Sequence, residues 1–201
     1  MRLIELAPGV LDKVADAVTP QPVLGVASIP DTALDVVPAQ GFVLVLVDVR
    51  DPGNLGTAVR SADASGCAAV VVCGESVDVF NPKTLRATAG SVFHLAVAVT
   101  STLDVVVDAL RTSGRDVRGA VVEGGEPLWG AVLSESCAVV VGSESTGLTV
   151  PQLAILDGTV TIPMAGRAES LNVGVASALV CFESLRRRSG RGAEVAPGPT
   201  I

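Results

Sequence analysis

The stretch TIPMAGRAESLNVGVASALVCFESL, residues 161 to 185, runs from the end of a short apolar strand through a loop with proline and glycine into a helix. We predict that this helix spans 169 to 188 and that Ser170 caps its first turn. The first N–H groups of a helix lack partners within the helix, and the positive end of its dipole faces the preceding loop. The corner is therefore predicted to be a small-molecule site. On the alternative interpretation, it is only a cap before a buried helix with the apolar residues Val173, Val175, Ala178, Leu179 and Phe182.

Two further stretches have the same strand-to-loop character. The segment DVRDPGNLGTAVRSADASG, residues 48 to 66, places Asn54 near the start of a helix and Arg60 six residues later. At 1.5 Å per residue, Arg60 lies less than two turns inside that helix, from where it can point back over the strand end. The segment VVVGSESTGL, residues 139 to 148, has Glu144 at the tip of a polar loop. Three strand ends thus present candidate polar side chains.

The hydrophobic pattern indicates an α/β fold. Apolar, β-branched runs occur at 43 to 48, 68 to 73, 92 to 99, 117 to 122, 137 to 142 and 158 to 162. Helical segments are predicted between most of them, at 55 to 66, 82 to 90, 102 to 114 and 149 to 156. Nearly continuous apolar strands separated by helices predict a parallel sheet covered by helices on both faces. Ligands of such sheets bind beyond the carboxyl ends of the strands, which is where all three polar loops fall.

In their order, these three stretches resemble the three sequence motifs of the SPOUT-class, TrmH-type RNA 2'-O-ribose methyltransferases. The similarity runs from about Phe42 to Arg188 and includes FNPKTLRATAGSVFHLAV, residues 80 to 97. The resemblance implies a deep C-terminal trefoil knot, S-adenosyl-L-methionine as the cofactor, a homodimer, and RNA as the partner, with ribosomal RNA favoured over transfer RNA. Ordinary chain topology would not suggest a knot.

The resemblance also assigns the site residues. It implies that the adenosine pocket is lined by Gly142, Ile162, Met164 and Leu171. It implies a catalytic set of Asn54, Arg60, Glu144, Ser170 and Asn172.

Chemical reasoning suggests a role for each catalytic residue. Because an arginine is a difficult base, we interpret Arg60 as a phosphate clamp and electrostatic activator. Asn54 would orient Arg60 or the ribose, and Glu144 would pin Arg60 or the target nucleotide. Ser170 and Asn172 would position that nucleotide beside the methyl group. The structural alternatives are a turn former, a surface acid and helix caps.

Composition limits the possible partners. The chain has 201 residues, a hydrophobic content of 49%, a net charge of -7 and a pI near 4.6, which argues against broad electrostatic capture of nucleic acid. A local basic rim near the motif loops is the exception that we predict, formed by Arg50, Arg60, Lys83, Arg86 and Arg167. The alternative is that these are ordinary solvated surface cations.

The cysteines and the histidine of the chain give no indication of a metal site. The four cysteines, Cys67, Cys73, Cys137 and Cys181, lie in apolar contexts without a CxxC pair, so we expect buried free thiols. The single histidine, His94, lies in a strand-like run and is interpreted as structural. No uncharged apolar run approaches the roughly 20 residues that cross a bilayer, so we expect a soluble cytoplasmic protein.

We expect three regions along the chain. Residues 1 to 40 resemble the last helix and strand of a small RNA-binding domain, followed by a linker. Residues 41 to 188 form the catalytic domain, and the polar tail at 189 to 201 is expected to be disordered.

Two other functions stay open on the sequence. One is a catalytically weak RNA-binding or assembly protein of the same fold. The other is a different nucleotide-binding α/β enzyme, although neither G-x-G-x-x-G nor a phosphate-binding GKS or GKT motif occurs.

Overall fold

Seven parallel strands form one sheet in the described part of the chain. The computed structural model describes residues 3 to 15, 22 to 131 and 133 to 190. The strands are β1 (Val43–Val47), β2 (Ala69–Cys73), β3 (Ala96–Val99), β4 (Asp116–Val121), β5 (Glu126–Pro127), β6 (Cys137–Val141) and β7 (Gly158–Thr161). Their order is β3-β2-β1-β6-β4-β7-β5, and all six pairings are parallel. The predicted parallel sheet is confirmed.

Helices cover both faces of this sheet. They are α2 (Pro52–Ala64), α3 (Pro82–Thr88), α4 (Leu103–Thr112), α5 (Val150–Ala154) and α6 (Val173–Gly190), while α1 (Leu11–Val14) lies earlier in the chain. Leu44 and Leu46 of β1 belong to a core that includes residues of α2 and α6. Val43 and Val45 point the other way, into a core with residues of α4. Because both faces are buried, all five residues of β1 are buried and apolar.

Two predicted starts differ from the structure by four residues. The strand predicted from residue 92 begins only at Ala96, because Ser91–Phe93 form a short 3-10 helix after left-handed residues at Ala89 and Gly90. The helix predicted from residue 169 begins at Val173, because Asn172 and not Ser170 caps it. The Asn172 Oδ1 accepts from the backbone N–H of Gly174 at 2.8 Å and from the next N–H at 3.2 Å.

The buried face of α6 differs from the alternative interpretation of this helix. Val175 and Phe182, which that interpretation placed in the core, are each 47% exposed. The buried residues instead include Ser177, Glu183 and Ser184. Helix α6 packs against α2.

Glu183 is part of a buried ionic cluster. Its carboxylate accepts from Arg186 at 2.7 and 2.8 Å and from Arg187 Nε at 2.7 Å. Arg187 also donates to the carbonyl oxygens of Ala131 and Leu128, which ties the segment after β5 to α6.

Arg115 connects the segment before β1 to the start of β4. Its side chain is almost fully buried and donates to the carbonyl oxygens of Gly41 at 3.1 Å and Pro38 at 2.5 Å, and to Ser113 Oγ at 2.6 Å. Burial lowers the pKa of Arg115, and within the described residues no carboxylate bonds it. The guanidinium therefore holds this segment by neutral acceptors alone.

The chain divides into two units, Met1–Pro30 and Asp31–Ile201. In the first unit, α1 is a single turn and residues 22 to 30 form no strand, while residues 16 to 21 of the segment likened to an RNA-binding domain lie outside the described residues. Of the predicted tail, Ser189 and Gly190 belong to α6, and residues 191 to 201 lie outside the described part.

Candidate active site

A cavity of about 300 Å³ lies at the carboxyl edge of the sheet. Its walls come from the ends of β4 and β6, from the loop after β6, from the segment between β7 and α6, and from the first turn of α6. All four residues predicted to bind the cofactor line it, namely Gly142, Ile162, Met164 and Leu171, together with Ser170 and Glu144 of the predicted catalytic set. The structure thus brings side chains from two of the three motif loops around one cavity.

Gly142 is required by the loop itself. A Cβ atom there would lie 2.6 Å from the Leu148 nitrogen and closer still to the Gly147 carbonyl. The glycine thus permits close approach of the backbone of the following loop. Any side chain would push residues 143 to 148 away from the strand end.

Asn54 joins all three motif loops through its side-chain amide. Its Nδ2 donates to Glu144 Oε1 at 3.0 Å, and its Oδ1 accepts from Asn172 Nδ2 at 2.8 Å. Asn172 in turn caps α6. One amide therefore fixes the loop after β1 against the loop after β6 and the start of α6.

Glu144 contributes further contacts to this junction. Its carboxylate oxygens accept, at 3.4 Å each, from the backbone N–H groups of Arg50 and Asp51. Burial raises the pKa of Glu144, but the hydrogen bonds from Asn54 and the backbone bring it below its ordinary value. The carboxylate is therefore ionised at neutral pH and pins the start of α2.

Arg60 lies apart from this junction. It is exposed on α2 and does not line the cavity. Within the described residues, neither Asn54 nor Glu144 hydrogen bonds to it, so a role of either residue in orienting Arg60 stays a prediction. Six residues turn the helix by about 240°, which places Arg60 and Asn54 on different faces.

The predicted cations are all at the surface. Exposed side chains are found at Arg50, Arg60, Lys83, Arg86 and Arg167. Arg50 pairs with Glu75 at 2.6 Å, with both side chains largely exposed. Pairs of this kind contribute little to stability.

Several cavity residues were not predicted. Ser143 and Thr146 line the cavity and contact each other, with 2.8 Å between the two hydroxyl oxygens. Val121 and Val122, at the end of β4, form another wall. The sequence signal was present, since a predicted strand ends at residue 122 and the polar segment EGGE follows it, but this segment is not one of the three motif loops.

The other reactive side chains lie outside the cavity lining. All four cysteines are buried free thiols, as expected. His94 follows the 3-10 helix instead of lying in a strand, is exposed, and lies 3.6 Å from Asp63. Across the described ranges, no cluster of three His, Cys, Asp or Glu residues is arranged to hold a metal ion. Over the same ranges, no helix has the length and apolar character of a membrane span.

This arrangement defines an α/β protein with a small-molecule cleft at the carboxyl edge of a parallel sheet, bordered by a network of amide and carboxylate groups. Residues 41–182 match the model of the SpoU rRNA methylase family. The chain belongs to this family, and the resemblance to TrmH-type methyltransferases is confirmed.

Individual relatives agree with this assignment. The 23S rRNA (guanosine(2553)-2'-O)-methyltransferase RlmP of Bacillus subtilis is 41% identical over 84% of this chain and 66% of its own length. The 23S rRNA (uridine(2479)-2'-O)-methyltransferase of Streptomyces viridochromogenes is 36% identical over 94% of this chain and 69% of its own length. The chain thus spans about two thirds of the length of these relatives.

A solved structure matches the fold. It is that of the SpoU methyltransferase AviRb from Streptomyces viridochromogenes in complex with the cofactor AdoMet, with a TM-score of 0.75 and 31% identity. The match covers 81% of this chain and 67% of that one.

Proposed function

We propose that this chain is an S-adenosylmethionine-dependent RNA 2'-O-ribose methyltransferase and that its substrate is ribosomal RNA. The observation that supports this most directly is the bridge that Asn54 makes between Glu144 and Asn172, because it joins the three family motifs at the rim of the cavity. Relatives named as 23S rRNA methyltransferases favour ribosomal RNA over transfer RNA as the substrate.

The cavity suits the proposed cofactor. Ile162, Met164 and Leu171 offer an apolar surface for an adenine ring, and the hydroxyl groups of Ser143 and Thr146 offer polar partners. A volume of about 300 Å³ lies within the range of small-molecule sites. When bound, S-adenosylmethionine supplies an electrophilic methyl group on a sulfonium sulfur.

The RNA side of the reaction depends on Arg60. A ribose hydroxyl is a poor nucleophile until its proton is withdrawn. Because a guanidinium keeps its proton, Arg60 acts as a clamp on the phosphate next to the target ribose and as an electrostatic activator. Ser170 and Asn172 position the target nucleotide, and Glu144 and Asn54 hold the loops around it.

The active form is a homodimer in which Arg60 serves the cavity of the other subunit. This is supported by the position of Arg60, exposed and away from the cavity of its own chain. It is also supported by the apolar strip on α6, where Val175 and Phe182 are exposed and Leu179 between them is half-buried. A two-fold interface would cover this strip with its own copy.

The loops around the cavity form the trefoil knot of the SPOUT class. In support, β7 is separated from β1 by β6 and β4 in the sheet, whereas α6 packs against α2, the helix that follows β1. The segment 162 to 172 must therefore return across the ends of β4 and β6. Residues 41 to 188 constitute the catalytic domain.

Cofactor binding and transfer are tested together. Calorimetry should show binding of S-adenosylmethionine to the unmodified chain. Ribosomal and transfer RNA from cells without the protein are then incubated with protein and cofactor, and 2'-O-methyl positions are mapped. A new mark in ribosomal RNA is the expected result. Marks in transfer RNA alone would overturn the substrate, and RNA binding without any transfer would favour an assembly role.

The shared site is tested by mixing subunits. Arg60→Ala and Ser170→Ala chains should each be inactive as homodimers, since each lacks one part of every site. Random mixing should restore about a quarter of the parent activity, because half of the dimers then hold one intact site. Mixing Arg60→Ala with Arg60→Lys is the matched control and should restore nothing, since an ammonium does not reproduce the guanidinium fork. An active monomer in sedimentation velocity would refute the dimer.

A further inference from the structure

Asp48, the residue directly after β1, has a left-handed backbone. Its φ is +57°, and Ala89 is the only other described residue besides glycine with a positive φ. For an aspartate this conformation costs about 1 kcal/mol. Surrounding contacts must therefore hold it.

The Asp48 carboxylate provides those contacts. Its Oδ1 accepts from the backbone N–H of Glu75 at 2.8 Å, and its Oδ2 accepts from Gln152 Nε2 at 3.0 Å. Its backbone N–H donates to Cys73 at 3.2 Å. One residue thus connects the loops after β1 and β2 to the first turn of α5.

A hydrogen bond to the oxygen of the Gln152 side-chain amide fixes the orientation of that amide. Gln152 Oε1 accepts from the Thr149 N–H at 2.8 Å, as part of a capping box at the start of α5. This directs the amide nitrogen towards Asp48. The bond therefore has a defined donor and a defined acceptor.

The loop from 142 to 149 is consequently attached to the β1–α2 connection at two points. Near its start, Glu144 bonds Asn54 and the backbone of Arg50. Just after its end, Gln152 bonds Asp48. This loop lines the cavity from Gly142 to Gly147.

We infer that Asp48 is a positioning residue that fixes the cavity wall formed by the loop after β6, through its hydrogen bond to Gln152. This rests on the proposed function, since the wall matters for activity only if the cavity binds the cofactor. Asp48 itself does not line the cavity.

The hydrogen bond between Gln152 and Asp48 is tested by substitutions that exchange its donor and its acceptor. Asp48→Asn keeps an oxygen for the Glu75 N–H and tolerates the left-handed backbone, but it sets an amide against an amide. Gln152→Glu keeps the capping box, yet it sets a carboxylate against a carboxylate. The double variant restores one donor facing one acceptor and the original net charge. Asp78→Asn is the matched control, because among the described residues the Asp78 carboxylate accepts only from the N–H of Phe80 in its own exposed loop.

Calorimetric titration with S-adenosylmethionine gives the decisive measurement. Each single variant is expected to raise the Kd about tenfold, the scale of one hydrogen bond to a charged group, and the double variant to return within about threefold of the parent. Singles equal to the parent, or a double at least as impaired as the worse single, would overturn the positioning role. Failure of the unmodified chain to bind the cofactor would instead refute the proposed function, and the positioning role would fall with it.

Discussion

Replacement of Glu183 by alanine should destabilise the fold by about 3 kcal/mol at pH 7. The carboxylate is 2% exposed and accepts three hydrogen bonds at 2.7 to 2.8 Å. Removal of one partner of a buried pair costs roughly 3 to 5 kcal/mol. Arg186 is 66% exposed and contributes little of this, so we take the lower end, which comes from Arg187 at 18% exposure.

Urea unfolding measures this change. The only tryptophan, Trp129, lies within the segment that Arg187 ties to α6, so its emission reports on this region, and circular dichroism reports on the whole fold. An unchanged m-value with a lower midpoint is the expected pattern. In thermal unfolding, the melting temperature should fall by about 6 to 12 °C. Glu123→Ala, on an exposed side chain, is the control and should change little.

The pH dependence gives an independent check on the cause. The Arg186 and Arg187 bonds hold the pKa of Glu183 below its ordinary value, although burial opposes them. A lowered folded pKa stabilises the fold above the unfolded pKa of about 4.3, and this stabilisation is lost as the pH falls through the folded pKa. The difference between parent and variant should therefore shrink below about pH 4. A cost under 1 kcal/mol, or one that stays constant from pH 7 to pH 3, would refute the ion-pair reasoning.

Three further substitutions have defined outcomes. Ser177→Ala should stabilise the fold by about 1 kcal/mol in urea unfolding, since the buried Ser177 hydroxyl has no hydrogen-bond partner among the described residues. Ser184→Ala is the contrasting change and should destabilise the fold, because Arg188 donates to the Ser184 hydroxyl at 2.9 Å. Gly142→Ala should lower the free energy of unfolding by about 1 to 3 kcal/mol and weaken cofactor binding, because the added methyl group meets the backbone of the following loop. Gly166→Ala is the control and should be neutral, because Gly166 has open space around it. Asn54→Asp should abolish methyl transfer, because a second carboxylate then faces Glu144, and single-turnover rates near the parent value would contradict this.

The central strands were predictable because burial on both faces leaves a simple pattern. In β1 and β6, every position is buried and apolar, so a continuous run of β-branched residues marks the strand with little ambiguity. The two-residue β5 has no such pattern and was missed. The late start of β3 was missed because the left-handed Ala89, which admits the 3-10 helix, has no signature in its residue type.

The sequence was sufficient to predict which loops form the site. It was not sufficient to predict the contacts that individual side chains make there. The motifs indicated which strand ends converge, and Gly142, Ile162 and Leu171 do line one cavity. The sequence did not reveal that Asn172 would replace Ser170 as the cap, since both residue types favour that position. It also did not reveal the direction of Arg60, which depends on the face of α2 that neighbouring helices leave open.

The buried guanidinium of Arg115 determines where this domain can be cut. The family match begins at residue 41, and a truncation made at that boundary would remove the Pro38 carbonyl that accepts from Arg115. The truncated protein would then enclose a cation that has lost a buried acceptor, at a cost of roughly 1 to 3 kcal/mol. A domain transplanted into another protein should therefore begin upstream of Pro38. The residues that precede the first strand belong to the folding unit, since Leu34, Val36 and Val37 also pack against the core of the sheet.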